Sequence, residues 1–195
     1  MVRRTAAAII QVSRYNGSAA AYSVAVGPAG RRVYVTGVPG DGAAATSSRD
    51  YATIAYKAAT GARLWVSRYN GPARRDDVAS SVTAGPHGGK VFVTGVSKLT
   101  RLRWDYATVA CNVATGARHW ARRYGGFACS VAASPNRRRV YVTGYSAGND
   151  YATIAYNAAT GAQLWVRRYN GPGNGDDTVY SVAIGPGGRR VFVTG

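Results

Sequence analysis

The sequence Asp-Tyr-Ala-Thr-Ile-Ala-Tyr at residues 50–56 decides the fold, and it leads through Ala-Thr-Gly-Ala to Trp65. Close copies begin at Asp105 and Asp150, so the segment recurs at intervals of about 50 residues. Short segments rich in Tyr, Thr, Ile and Val are typical of β-strands. Both alternating faces of this strand are largely apolar, so we expect it to be covered on both sides.

Three further signatures recur in a fixed order around this strand, separated by Gly and Pro turns. No stretch has a helical period. If the strands are labelled A to D, the chain runs D, then ABCD three times, then AB. Strand A begins at Ser23, Ser81, Ser130 and Ser181, strand B at Val33, Val91, Val140 and Val191, and strand D ends in Arg-Tyr at Arg14, Arg68, Arg123 and Arg168.

The repeats predict one all-β domain over residues 1–195, a β-propeller of four-stranded antiparallel blades. Blades packed face to face around an axis cover both faces of strand C. Because the last repeat is incomplete, we expect a fragment of a larger propeller with about six to eight blades. The expected complete blades are 22–71, 79–126 and 128–171, and the partial fourth blade combines 179–195 with an N-terminal strand at 8–15.

Basic residues dominate the charge of the chain. There are 25 Lys and Arg against eight Asp and no Glu, which gives a formal net charge of +17. Such a charge attracts nucleic acids or acidic polymers. Abundant Ala, Gly and Arg are also typical of a GC-rich genome, and the basic residues are spread along the whole chain, so composition alone leaves both explanations open.

Residues 155–165, Ala-Tyr-Asn-Ala-Ala-Thr-Gly-Ala-Gln-Leu-Trp, resemble the tryptophan-docking repeat of bacterial PQQ-type propellers of the quinoprotein dehydrogenase-like group. Residues 185–195 resemble the YVTN-type repeat, although the Asp and the final Asn of that motif are absent. The resemblance implies that each docking tryptophan packs against a neighbouring blade and that Thr-Gly forms the C–D turn. The residues concerned are Trp65, Trp120 and Trp165, with Gly61, Gly116 and Gly161.

The resemblance also raises the possibility of a remnant of a PQQ-dependent dehydrogenase. Those enzymes hold calcium with carboxylate and amide ligands, and calcium needs several oxygen ligands. With no Glu in the chain, we predict no cofactor, no metal and no catalytic residue. The pairs Asp76-Asp77 and Asp176-Asp177 are interpreted as solvated loop carboxylates. Cys111 and Cys129 stand where other repeats carry Tyr, so no disulfide is expected.

The B–C and D–A segments vary in length, whereas the A–B and C–D turns barely vary. In a propeller the two variable kinds of loop emerge on one face, and variable loops on a rigid scaffold are the usual place for recognition. The candidate binding surface therefore comprises Arg74, Arg75, Lys98, Arg101, Arg103 and Trp104.

The predicted function is a non-catalytic scaffold or binding module for a protein or polymer ligand. The alternative is a polyanion binder that uses the basic turns of the opposite face. No apolar run approaches the length of a membrane span. The apolar run at residues 6–10 is short for a signal peptide, and proteins with this resemblance are often secreted or at the cell surface, so the compartment stays open. The basic turns are Arg31-Arg32, Lys90, Arg137-Arg138-Arg139 and Arg189-Arg190.

Overall fold

The computed structural model describes residues 20–38, 49–146, 150–173, 175 and 177–195. Every regular element in these residues is a β-strand, which confirms the all-β prediction. The expected strand at residues 8–15 lies outside the described residues. The strands are β1 (Ala20–Val26), β2 (Arg32–Val38), β3 (Tyr51–Lys57), β4 (Arg63–Tyr69), β5 (Asp77–Ala84), β6 (Lys90–Lys98), β7 (Trp104–Asn112), β8 (Arg118–Ala133), β9 (Arg139–Ser146), β10 (Tyr151–Asn157), β11 (Gln163–Tyr169), β12 (Ser181–Ile184) and β13 (Val191–Thr194).

Neighbouring strands pair antiparallel in chain order, as expected for propeller blades. Strands β1 to β4 form the first blade, and β12 and β13 form a two-stranded start of a fourth. Between them, β5 to β11 form one continuous sheet of seven strands, whereas the sequence predicted two separate sheets of four strands. The blades follow one another as an open arc, which agrees with a partial propeller.

Strand β8 explains why two blades are joined, because it is strand D of the second blade and strand A of the third. Its residues up to Gly125 pair with β7, and its residues from Gly126 onward pair with β9. Gly126 turns the corner with a φ of 126°, where any side chain would overlap the carbonyl oxygen of Tyr145. Since no residue of β8 pairs on both sides, each of these blades still has four strands.

Strand C of each blade is buried on both faces, as its sequence predicted. Residues 51–55 of β3 and 105–111 of β7 are all buried. Threonine hydroxyls at the centre of each blade pair across strands B and C, which satisfies polar groups that the packing removes from water. These pairs are Thr36 with Thr53, Thr94 with Thr108 and Thr143 with Thr153, at 3.1, 3.0 and 3.1 Å.

Hydrogen bonds between the inner strands repeat from blade to blade. The backbone N–H of Val82 donates to the hydroxyl of Ser23 in the preceding blade at 3.2 Å. Val131 and Val182 make the same bond to Ser81 and Ser130, each at 3.3 Å. The recurring serine therefore links neighbouring A strands, which accounts for its presence in every repeat.

Tyrosines of strand C make a second repeated link. The hydroxyl of Tyr51 donates to the carbonyl oxygen of Ala107 at 3.1 Å, and that of Tyr106 donates to Ala152 at 3.4 Å. Burial raises the pKa of both phenols, Tyr51 well above the ordinary value, so both stay protonated and able to donate. Apolar clusters surround these bonds between successive blades.

Two of the three docking tryptophans lie against the next blade. The indole N–H of Trp65 donates to the carbonyl oxygen of Val113 at 3.0 Å, and that of Trp120 donates to Ala158 at 3.3 Å. A β-carbon on Gly116 would lie 2.7 Å from the Trp65 ring, and one on Gly161 would lie 2.7 Å from the Trp120 ring. The turn glycines thus leave the space that each indole occupies.

Trp165 differs from its two counterparts. It is half-buried and packs against Tyr141 of its own blade, with ring centroids 5.7 Å apart. Gly61 has the same positive φ as the other turn glycines, 69° against 74° and 72° for Gly116 and Gly161. A docking role for the whole set of six residues stays a prediction.

The D–A turns are closed by aspartates, and this corrects one interpretation of the sequence. Asp77 is fully buried rather than solvated, and its Oδ2 accepts a hydrogen bond from the Gly71 N–H at 2.6 Å. Asp177 accepts from Gly171 in the same way at 2.7 Å, and it is half-buried. Asp176 lies outside the described residues.

Desolvation raises the pKa of Asp77, and the hydrogen bond from Gly71 only partly offsets it. The other carboxylate oxygen, Oδ1, and the hydroxyl of Ser97 are also buried at this turn. The buried carboxylate therefore orders the turn that carries Arg74 and Arg75. Removing this group from water costs free energy, and the cost is larger when the carboxylate is ionised.

Replacing Gly116 with Ala is expected to lower the free energy of unfolding by about 2–5 kcal/mol, because backbone strain and a clash with Trp65 add together. Gly88 is a matched control, since its φ is 72° and a β-carbon there would meet nothing within 4 Å. Gly88→Ala should cost only the strain, about 1–2 kcal/mol. Urea denaturation measures both, and equal losses would show that the docking contact does not constrain the turn.

Replacing Asp77 with Asn is expected to change the pH dependence of stability. The pKa of Asp77 is higher in the folded protein than in the unfolded chain, so proton binding at Asp77 stabilises the fold. This stabilisation is fully present below the pKa of the unfolded chain and is lost as pH rises through the pKa of the folded protein. Urea denaturation from pH 3.5 to 7 should show wild-type stability falling relative to Asp77→Asn. Asp77→Ala, which removes the acceptor for Gly71, should be less stable than Asp77→Asn throughout. A constant difference between wild type and Asp77→Asn would contradict this.

Candidate functional site

The candidate binding surface centres on the hairpin between β6 and β7. The N–H of Leu99 donates to the carbonyl oxygen of Arg103 at 2.8 Å, and the hydroxyl of Thr100 accepts from the N–H groups of Leu102 and Arg103 at 3.3 and 3.1 Å. These bonds give the loop a defined shape. They present Arg101 and Leu102 to solvent, and Leu102 is 95% exposed.

Lys98 and Trp104 are brought together at the base of this hairpin. They are register partners, and the Lys98 ammonium lies 5.1 Å from the centroid of the indole ring. A cation over an aromatic face is an attractive arrangement. The Trp104 side chain is half-buried.

An aromatic row that the sequence analysis missed extends from Trp104. Its ring lies 5.7 Å from that of Phe127, which in turn lies 5.6 Å from that of Tyr145. Phe127 is 37% exposed, and Tyr145 is half-buried. We call Trp104, Phe127 and Tyr145 the aromatic row. A signal was available, because the equivalent positions of other repeats carry no aromatic residue.

Arg103 is held differently from its neighbour Arg101. Its Nε lies 3.5 Å from one carboxylate oxygen of Asp105, and the Nε of Arg123 lies 3.3 Å from the other. The Asp105 side chain is only 8% exposed, whereas that of Arg103 is 67% exposed. The carboxylate is therefore flanked by two cations, and the hairpin surface keeps an excess of positive charge.

Arg74 and Arg75 lie on the neighbouring D–A turn, and both are exposed. The N–H of Arg74 donates to the carbonyl oxygen of Gly71 at 2.9 Å, and its φ is 49°. The carbonyl oxygen of Asp76 accepts from the N–H of Lys98 at 2.9 Å, which ties this turn to the hairpin. The fold therefore places both segments of the candidate surface on one side of the second blade.

The opposite face carries the basic A–B turns. A groove of about 890 Å³ separates the turns of the first and second blades, and a smaller one of about 180 Å³ separates those of the second and third. Arg31, Arg32, Lys57 and His87 line the larger groove beside apolar groups such as Leu64. Lys90, Arg137 and Arg139 line the smaller one.

Side chains that could hold a metal ion or react as thiols are few in the described ranges. No group of three or more His, Cys, Asp or Glu side chains in those ranges could hold a metal ion. Cys111 and Cys129 are both free, and burial raises the pKa of each thiol. Within the same ranges, no helix is long and apolar enough to cross a membrane.

Solved structures with a similar fold are propeller proteins of low sequence identity. Kuenenia stuttgartiensis hydrazine synthase aligns with a TM-score of 0.61 and 14% identity over 89% of this chain and 43% of its own. Quinohemoprotein alcohol dehydrogenase from Comamonas testosteroni aligns with a TM-score of 0.51 and 16% identity over 84% of this chain and 30% of its own. The chain thus spans less than half of either protein, and at such identity the likeness shows the fold alone.

A search of curated protein sequences finds no match. A family model, PQQ_2, described as outer membrane protein assembly factor BamB, matches residues 49–194. This range holds the second and third blades, both described strands of the fourth, and strands C and D of the first. Because the match covers most of the sequence and the fold agrees with it, this chain belongs to the PQQ_2 family of propeller repeat proteins.

Proposed function

We propose that the chain is a non-catalytic propeller scaffold that binds an acidic partner through the β6–β7 hairpin and the adjoining D–A turn. The observation that carries the proposal is the ordered hairpin, which holds an exposed apolar tip beside cations. Leu102 is 95% exposed, Arg101 next to it in the chain is exposed, and Arg74 and Arg75 are exposed on the adjoining turn.

The fixed shape of the hairpin supports this role. Preorganised loops lose less conformational entropy on binding than mobile ones. The Thr100 hydroxyl and the Leu99–Arg103 bond order the tip, and the bond from Lys98 to Asp76 orders its base. Arginine and tryptophan are also the side chains that most often dominate binding energy at interfaces.

The charge of the surface indicates the sign of the partner. Asp105 is flanked by Arg103 and Arg123, so its charge does not offset that of Lys98 and Arg101. A net charge of +17 on the whole chain adds long-range attraction for anions. An acidic peptide segment or an acidic polymer is therefore the class of partner that this surface fits.

A second candidate is polyanion binding by the opposite face. The observation in its favour is the groove of about 890 Å³, whose charged lining residues among those described are Arg31, Arg32 and Lys57. Several such contacts with phosphate or sulfate groups would give strongly salt-dependent binding without sequence preference. The two candidates use different faces, so substitutions can separate them.

Two charge-matched double variants test the proposal. Lys98→Ala with Arg101→Ala alters the hairpin, and Arg31→Ala with Arg32→Ala alters the A–B turn that lines the larger groove. Retention is measured on immobilised poly-glutamate, heparin and single-stranded DNA at 50 mM salt and above. We expect the hairpin variant to lose retention and to reduce the log–log salt slope on DNA by about 1.4, because two contacts are lost. The turn variant should behave like wild type.

Each other outcome of this experiment has a defined meaning. Loss confined to the turn variant would overturn the hairpin proposal in favour of the second candidate. Equal small losses in both variants would indicate attraction by net charge without a defined site. Absence of retention of the wild type on all three polymers would overturn both candidates. Circular dichroism of the variants checks that their strand content matches that of the wild type.

A further inference from the structure

The aromatic row departs from the repeat at three places that meet in space. Trp104 stands where the first blade carries Arg49, and Phe127 stands where other blades carry Ala20, Val78 or Thr178. Tyr145 stands where they carry Val38 or Val96. At the positions of Phe127 and Tyr145, the first two blades pair Ala20 with Val38 and Val78 with Val96, so strand pairing there does not require a ring. The first blade forms strand C without a ring at the position of Trp104.

These departures come from two blades and produce one continuous surface. Trp104 begins β7 of the second blade, whereas Phe127 and Tyr145 are register partners on β8 and β9 of the third. Successive ring centroids are 5.7 and 5.6 Å apart, with an interplanar angle of 32° in each case. The corner at Gly126 makes this possible, because it joins the two blades without an intervening loop.

Cations lie at the Trp104 end of the aromatic row. The Lys98 ammonium lies over the Trp104 ring at 5.1 Å, and Arg101 and Arg103 lie in the same hairpin. Planar rings beside cations match a ligand in which planar rings alternate with negative charges. Single-stranded nucleic acid has this chemistry, and stacking of bases on aromatic side chains tolerates any sequence.

We propose that the aromatic row and its cations bind single-stranded nucleic acid, with bases stacked on the rings and phosphates paired with Lys98 and Arg101. This inference rests on the proposed function, because it uses the same surface and names its ligand. The flexible Lys98 side chain moves from the indole face to a phosphate when a base takes its place. A polyanion without rings lacks the stacking contribution and binds this surface more weakly.

The first blade offers a variant that separates stacking from charge. Trp104→Arg introduces the residue found in the first blade and raises the net charge by one. If charge alone governed binding, this variant would bind an oligonucleotide more tightly. Stacking predicts the opposite, with a dissociation constant about fivefold to a hundredfold higher, because each stacked base contributes substantially.

The measurement is fluorescence anisotropy of a fluorescein-labelled 15-nucleotide oligo(dT), with inorganic polyphosphate as a competitor of matched charge. Phe127→Val and Tyr145→Val, which restore the residues of the second blade, are expected to weaken oligo(dT) binding severalfold and to leave polyphosphate binding unchanged. Tyr22→Ser is the control, since that ring is 56% exposed in the first blade and the second blade carries Ser80 at the equivalent position. It should leave the dissociation constant unchanged.

Equal or tighter oligo(dT) binding by Trp104→Arg would overturn the inference, as would competition by polyphosphate at equal charge concentration. In either case retention that depends on Lys98 and Arg101 would leave the proposed function standing. Binding of poly-glutamate but not of oligo(dT) would also overturn this inference alone. Absence of binding to every anionic probe would overturn both. Tryptophan fluorescence, quenched by oligo(dT) in the wild type and not in Trp104→Arg, reports stacking directly.

Discussion

The packing of each blade face against the next is the constraint on which the whole arc depends. A four-stranded sheet whose central strand is apolar on both faces cannot remain alone in water, because burial of that surface is the main favourable contribution to folding. Trp65 and Trp120 show how closely the faces fit. Each indole contacts the turn glycine of the next blade and donates its N–H to that turn.

Polar links fix the relative position of the blades that apolar packing brings together. Serine hydroxyls join the inner strands, tyrosine hydroxyls join the C strands, and indole N–H groups join strand D to the next turn. Buried polar groups need partners, so these bonds favour one register over others. The result is a rigid support, and rigidity is what allows a loop such as the β6–β7 hairpin to present side chains in a fixed arrangement.

Comparison of the repeats with one another separates residues needed for the fold from residues available for function. Val and Ala form the strand pairs of the first two blades at positions where the third blade carries Phe127 and Tyr145. Gly126 replaces Asp77 at the start of strand A, so the third blade has a direct corner where the second has a capped turn. These local departures change the surface while the repeated contacts stay the same.

The sequence by itself determined the strands, their order, the burial of strand C and the propeller architecture, because these features depend on local periodicity and on repetition. It also located the hairpin with Lys98 and Trp104, since loop lengths can be compared along the chain. Only the tertiary structure decided that Asp77 is buried, that β8 serves two blades, and that Trp104, Phe127 and Tyr145 meet. The reason is physical: distances between blades follow from how their faces pack, and no spacing within a single repeat encodes them.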